Sequence, residues 1–219
     1  MKVVFFVAHP DDEAFGPAAT IAKLATEFDV QVVCLCNGKR PGAEFEVSTK
    51  RQAAFRNTCK KLGARYTMHH FDDATLTLTD AMKVVEQEIA THLPDLVFTH
   101  NISDLHKDHR VLAEAVTVAC RPKPSSSVKA LLMFEQPAST EWTFGVVHPP
   151  FTPNVFVDIT RFIELKKTVM GYYDTELYEF PDARSIKGME VLALNRGRQS
   201  GLVYAEAFQL VFARDHIPL

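Results

Sequence analysis

Two periodicities alternate along the first 120 residues. Lys2 to Ala8 reads as one continuous apolar run, the mark of a strand covered on both faces. Residues 14–27 then follow a helical period, with Ile21, Leu24, Ala25 and Phe28 on one stripe. Val30 to Leu35 is a second buried strand, closed by the turn residues NGKRPG at 37–42. The pattern predicts a helix from Thr49 to Leu62 with Gly63 as its C-cap, and a strand from Tyr66 to Phe71. It then predicts a helix from Thr79 to His92, capped by Thr79 or Asp80, a strand from Asp95 to Thr99 and a helix from Asp108 to Ala119.

The remainder is less regular. Leu131 to Phe134, Val155 to Asp158 and Ala207 to Phe212 read as strands, and residues 161–173 and 184–197 as helices. The stretch 136–153 holds four prolines and the only tryptophan, Trp142, and reads as a long ordered loop. Strands separated by single helices imply right-handed βαβ units. The fold class is therefore α/β: one Rossmann-like domain over residues 1–219, with a mostly parallel sheet, helices on both faces and a loop-rich C-terminal third.

Composition narrows the field. A hydrophobic fraction of 47% in 219 residues supports a substantial core, and a net charge of -3 points to neither disorder nor nucleic acid. The first apolar run is too short for a signal-peptide core, and no stretch approaches the roughly 18 apolar residues of a membrane helix. The expected location is the cytoplasm, with no integral membrane segment; a homo-oligomer stays open. Cys34, Cys36, Cys59 and Cys120 show no C-x-x-C spacing and read as buried reduced thiols.

Chemistry concentrates at two strand ends. AHPDDE at 8–13 places His9, Asp11, Asp12 and Glu13 after the first strand, with no G-x-G-x-x-G to hold a nucleotide. Carboxylates there repel phosphate and suit a cation. HKDH at 106–109 follows the fourth strand, which puts both groups at the same sheet edge. His9, Asp12 and His109 make a two-histidine, one-carboxylate set of the kind that holds zinc with a position open for water, whose pKa falls to near 7. Asp11 then suits a base that takes the water's proton, and His106 an oxyanion donor or an acid for a leaving amine. Asp108 suits a partner that orients a ligating histidine, and Glu13 the helix start or that same supporting ring of contacts. His69, His70, His92, His100, His148, His216 and Asp72 read as ordinary polar residues, and Met170, Tyr172 and Tyr173 as core.

AHPDDE after a first strand, with a later H-x-D-H, resembles the double signature of the PIG-L/LmbE-like zinc-dependent N-acetylglucosamine de-N-acetylases. The resemblance is specific in these two motifs and weaker over most of the chain. It implies His9, Asp12 and His109 as metal ligands, Asp11 as general base and His106 as electrophile or acid. It also implies substrate contacts from Arg51, on the helix after the second strand, and from Asp73 in FDDATL. RPKPSSSVKALLMFEQPASTEW, FTPNVFVDIT and YAEAFQLVF are similar to a bacterial subgroup that modifies sugars of glycoconjugates. Lys107 stands where proline is common, Ala54 where a glutamate usually pairs with nearby basic residues, and His106 where some relatives have asparagine.

The expected reaction is metal-dependent removal of an acetyl group from an N-acetylated sugar, free or on a glycoconjugate, with Zn2+ or, through the same ligands, Fe2+. The loop around Trp142 is expected to form part of the pocket wall, because aromatic faces stack on sugar rings. Two rivals stand beside this reading. An Fe(II) oxygenase uses the same ligand types, but in all-β barrels. A non-catalytic sugar- or metal-binding relative would not need a base beside the metal.

Overall fold

A computed structural model describes residues 1–42 and 45–214; His216 lies outside the described residues. Seven strands form one sheet in the order β3-β2-β1-β4-β5-β7-β6. β1 (Lys2–Val7), β2 (Asp29–Cys36), β3 (Arg65–Phe71), β4 (Leu96–His100) and β5 (Ala130–Phe134) run parallel. β7 (Ala205–Ala213) pairs antiparallel with β5, and β6 (Val155–Asp158) antiparallel with β7.

The continuous apolar run of β1 has a direct structural reading. Val3, Phe5 and Val7 face one apolar layer, whereas Val4, Phe6 and Ala8 face the other. The first layer is closed by α1 (Asp12–Phe15), α2 (Ala18–Ala25), α3 (Phe45–Leu62), α6 (Ile163–Met170) and α7 (Ile186–Ser200), all of which contribute side chains to it. The second is closed by α4 (Leu78–His92) and α5 (Lys107–Ala119). Each fully buried Val or Phe of the strand contributes about 1.5–3 kcal/mol of transfer free energy. Phe5 stacks on Phe98 of β4 at 4.3 Å, and Phe208 of β7 meets Phe98 edge-on at 5.2 Å.

Three expectations need correction. The helix expected over 14–27 is two helices, because Pro17, which has no N–H to continue α1, caps α2; Gly16 before it sits where a Cβ would lie 2.8 Å from Gln136 Nε2 and 2.9 Å from the Asp12 carbonyl. The cap of α4 is Thr77, not Thr79 or Asp80: its extended backbone lets its hydroxyl accept from the Asp80 N–H. Tyr172 is exposed, although Met170 and Tyr173 are core. The loop 136–153 contains one short 3₁₀ turn, Glu141–Thr143.

The helix α7 crosses close over the approach to β7. A Cβ on Gly197 would lie 2.3 Å from the Val203 carbonyl oxygen, and backbone cannot move aside cheaply. Gly197→Ala is expected to destabilise the chain by about 1–3 kcal/mol, read in urea melts; an unchanged midpoint would show that the crossing is loose.

Candidate metal centre

β1 and β4 are neighbours, and here the strand order reverses: the chain goes one way from β1 to β2 and β3, then returns to place β4 on the other side. Loops leaving the carboxyl ends of such strands diverge and open a crevice. His9, Asp11 and Asp12 follow β1; His106 and His109 follow β4. Arg40 follows β2, Asp73 follows β3 and Ser139 follows β5, and all of these line one cavity of about 260 Å³.

The turn after β1 is tightly held. Asp11 has φ 138°, a conformation costly for any residue with a Cβ. Its carbonyl accepts from the N–H groups of Ala14 and Phe15, and its own N–H donates to Glu13 Oε2 at 3.2 Å. Glu13 in turn accepts from the Tyr173 hydroxyl, and burial pushes its pKa up to about 8. Glu13 thus supports the turn from inside, and its carboxylate is not one of the donors that converge on the cavity.

His9, Asp12 and His109 come together. His9 Nδ1 lies 3.2 Å from His109 Nε2 and 3.5 Å from Asp12 Oδ2, and His109 Nε2 lies 3.3 Å from Asp12 Oδ1. Donors at about 2.0–2.1 Å around a tetrahedral zinc stand about 3.3–3.4 Å apart; the two ring nitrogens are close to that spacing, and Asp12 sets one oxygen beside each ring. The other ring nitrogens are turned outward. His9 Nε2 pairs with Asp108 Oδ2 at 3.0 Å, and His109 Nδ1 sits 3.2 Å from Asp104 Oδ1 at an angle short of a hydrogen bond. Carboxylates in those places keep the inward nitrogens free to donate. Electrostatics agree: burial disfavours a charged His109, yet Asp12 and Asp104 raise its pKa to about 9, so this pocket draws positive charge.

His106 is the N-cap of α5. Its Nδ1 accepts from the Asp108 N–H at 3.2 Å, which places its proton on Nε2. Burial, and then the charge on His109, push its pKa down to about 4, so it is a neutral hydrogen-bond donor near pH 7. Its ring stands edge-on to His9 at 4.5 Å. Asp108 accepts from both His9 and the Ala74 N–H, joining the loop after β3 to the histidine–carboxylate cluster.

A second layer joins Asp11 to arginines. Arg184 donates to Asp11 Oδ2 at 2.7 Å and Arg51 approaches the same oxygen at 3.4 Å. Arg51 also binds Asp73 Oδ2 at 2.7 Å and the Gly38 carbonyl at 3.0 Å. Ala54, on the same helix as Arg51, offers no carboxylate; Glu176 comes instead from the segment after α6, 3.4 Å from Arg51 Nε and 2.5 Å from Arg40.

Several participants escaped the sequence reading. In the sequence His100 reads as an ordinary polar residue. It is instead fully buried, stacked on His109 at 3.9 Å and 3.2 Å from Asp12 Oδ2. Asp104 accepts from the Ser139 and Thr140 hydroxyls and the His106 N–H, and braces His109. It stood in plain view two residues before His106. Arg40, Glu176 and Arg184 carried no local signal. Trp142 does not line the cavity; its loop supplies Ser139. His69 and His92 both pair with Glu88, and Asp72 with Lys39, apart from the histidine–carboxylate cluster. All four cysteines are free and buried. Cys36 nevertheless brings its sulfur within 4.8 Å of donor atoms of His9 and Asp73.

A doubly wound sheet with clustered histidines and carboxylates at its switch point defines a candidate metalloenzyme. Comparison with known proteins carries this further. The family model for PIG-L, GlcNAc-PI de-N-acetylase, matches residues 4–120, and the chain belongs to that family. The uncharacterized deacetylase YaiS of Escherichia coli K12 is 30% identical over 161 residues, 69% of this chain and 78% of that protein. The diacetylchitobiose deacetylase of Thermococcus kodakarensis is 29% identical over 226 residues, 96% of this chain and 83% of that protein. Among solved structures, GalB, the 4-carboxy-2-hydroxymuconate hydratase of Pseudomonas putida KT2440, shares the fold. Its TM-score is 0.79 at 21% identity, with 100% of this chain and 99% of that one covered.

Proposed function

We propose that this chain is a metal-dependent amide hydrolase that removes the acetyl group from an N-acetylated sugar of the N-acetylglucosamine type, releasing acetate and a free amine. His9, Asp12 and His109 hold the ion, zinc or Fe2+. When bound, it polarises the acetyl carbonyl and lowers the pKa of water at the site. The observation that carries the reading is the close approach of these three donors in one cavity with Asp11 and His106.

The chain's own residues divide the remaining work. Asp11 accepts a proton from the attacking water. His106 donates through Nε2–H to the oxygen that gains charge, as its capping bond on Nδ1 dictates. A neutral His106 is a poor acid, so the proton held by Asp11 passes to the departing amine. Arg51 and Asp73, at the cavity wall, are the proposed contacts to sugar hydroxyls. The deacetylases among the relatives support this assignment. The hydratase shows that the fold alone does not decide it.

The test is acetate release from a panel of N-acetylated sugars and glycosides by protein loaded with zinc or, anaerobically, with Fe2+. Turnover that stops on chelation and returns with the metal supports the reading. Saturable sugar binding without acetate release would sink it and favour a binding role. His106→Ala is expected to lower kcat by about 10²–10³-fold while the metal stays bound; an unchanged kcat would remove His106 from the oxyanion role.

A further inference from the structure

We propose that Arg184 is a positioning residue for Asp11, pinning one carboxylate oxygen so that the other faces the cavity. The inference rests on the hydrolase reading for what Asp11 does, but the geometry stands without it. Arg184 lies in the segment between α6 and α7, outside the residues 4–120 that the family model matches.

Both guanidinium contacts of Asp11 fall on Oδ2, from Arg184 at 2.7 Å and Arg51 at 3.4 Å. Among the described residues, no hydrogen bond or ion pair falls on Oδ1. The backbone of Asp11, held at φ 138° by its turn, fixes where the side chain starts; the pin on Oδ2 fixes how the carboxylate is rotated. Of the two arginines, Arg51 is committed to Asp73 and the Gly38 carbonyl, so its longer contact with Asp11 is secondary.

Arg184 is itself anchored for this task. Its N–H donates to Asp182 Oδ1 at 2.8 Å, and the next residue, Ser185, caps α7. Its Nε donates to the Glu176 carbonyl at 3.3 Å, and its guanidinium lies over the Phe15 ring, 4.5 Å from the centroid. Phe15 ends α1, the helix that Asp12 begins. Arg184 also lines the cavity, but a side chain fixed at its backbone, at Nε and across its planar face is held on Asp11. A pin of this kind matters for rate, because an oxygen turned away from the reacting water loses the alignment that proximity supplies.

The experiment compares the full chain, zinc-loaded, as wild type, Arg184→Ala and Arg184→Lys. The expected result is retained metal and a melting temperature lowered by the lost ion pair with the buried Asp11, with KM within about twofold and kcat, measured well below the melting temperature, lower by about 30–100-fold in Arg184→Ala. Millimolar guanidinium chloride is expected to restore part of that rate, and Arg184→Lys to fall between the other two. A raised KM with unchanged kcat would make Arg184 a substrate contact, and an unchanged kcat would leave it no role; either overturns the proposal. Crystal structures of wild type and Arg184→Ala decide the geometry without turnover. A carboxylate of Asp11 that rotates or loses order in the variant supports the pin, and an identical conformer refutes it. If the wild type released no acetate from any sugar, the hydrolase reading would fall, while that structural comparison would still settle whether Arg184 positions Asp11.

Discussion

Asp11→Asn is expected to keep its metal and lose turnover by about 10³-fold, within the range general-base removal produces. Asparagine preserves the side-chain shape, tolerates the positive φ at this position and still accepts from Arg184 through its carbonyl oxygen. What it cannot do is take a proton from water. The substitution therefore separates the chemical step from the architecture, which Asp11→Ala would not, since alanine leaves the buried Arg51 and the half-buried Arg184 short of a partner. Metal content, melting temperature and acetate release measured side by side give the result. An Asp11→Asn protein that turns over within about tenfold of wild type would mean that the base lies elsewhere.

His109→Ala is expected to have the widest consequences. It removes a proposed ligand whose loss should weaken metal binding by at least about 100-fold, more than the loss of a residue that only orients a ligand costs, and acetate release should vanish with the metal. It also leaves Asp12 and Asp104 as buried carboxylates without the ring between them, and strips His100 of its stacking partner. A lower melting temperature should accompany the loss of metal. Elemental analysis after dialysis gives the first result and calorimetry the second. A His109→Ala protein that retained one equivalent of zinc would rule out the assigned ligand set.

The legible parts of this molecule are those written locally. β1 announces itself as an unbroken apolar run and β4 by the shorter Leu96-Val97-Phe98, because a strand between two helical layers has little face left for polar residues. The motifs that follow them carry their chemistry in six and four residues, and the parallel topology alone brings them to one edge. The helix interruption is also written locally, since Gly16-Pro17 is a break signal; what only packing shows is why position 16 has no side chain, with Gln136 and the Asp12 carbonyl crowding it. His100, Glu176 and Arg184 were silent in the sequence. Each sits in a stretch of unremarkable composition and gains meaning only from what tertiary structure sets beside it. Asp104 was missed differently, as one polar residue among several in a loop.

The hydrogen bond from Tyr173 to Glu13 has a consequence for anyone recombining this scaffold. It reaches from the end of α6 into the first turn, and together with Arg184 and Glu176 it makes the far end of the chain a custodian of the near end's geometry. Residues 4–120 are thus not a portable cassette. A chimera that joins them to another protein's C-terminal half inherits the ligands yet forfeits the tyrosine, the glutamate and the arginine. It should bind metal and turn over slowly until those three are transplanted with it.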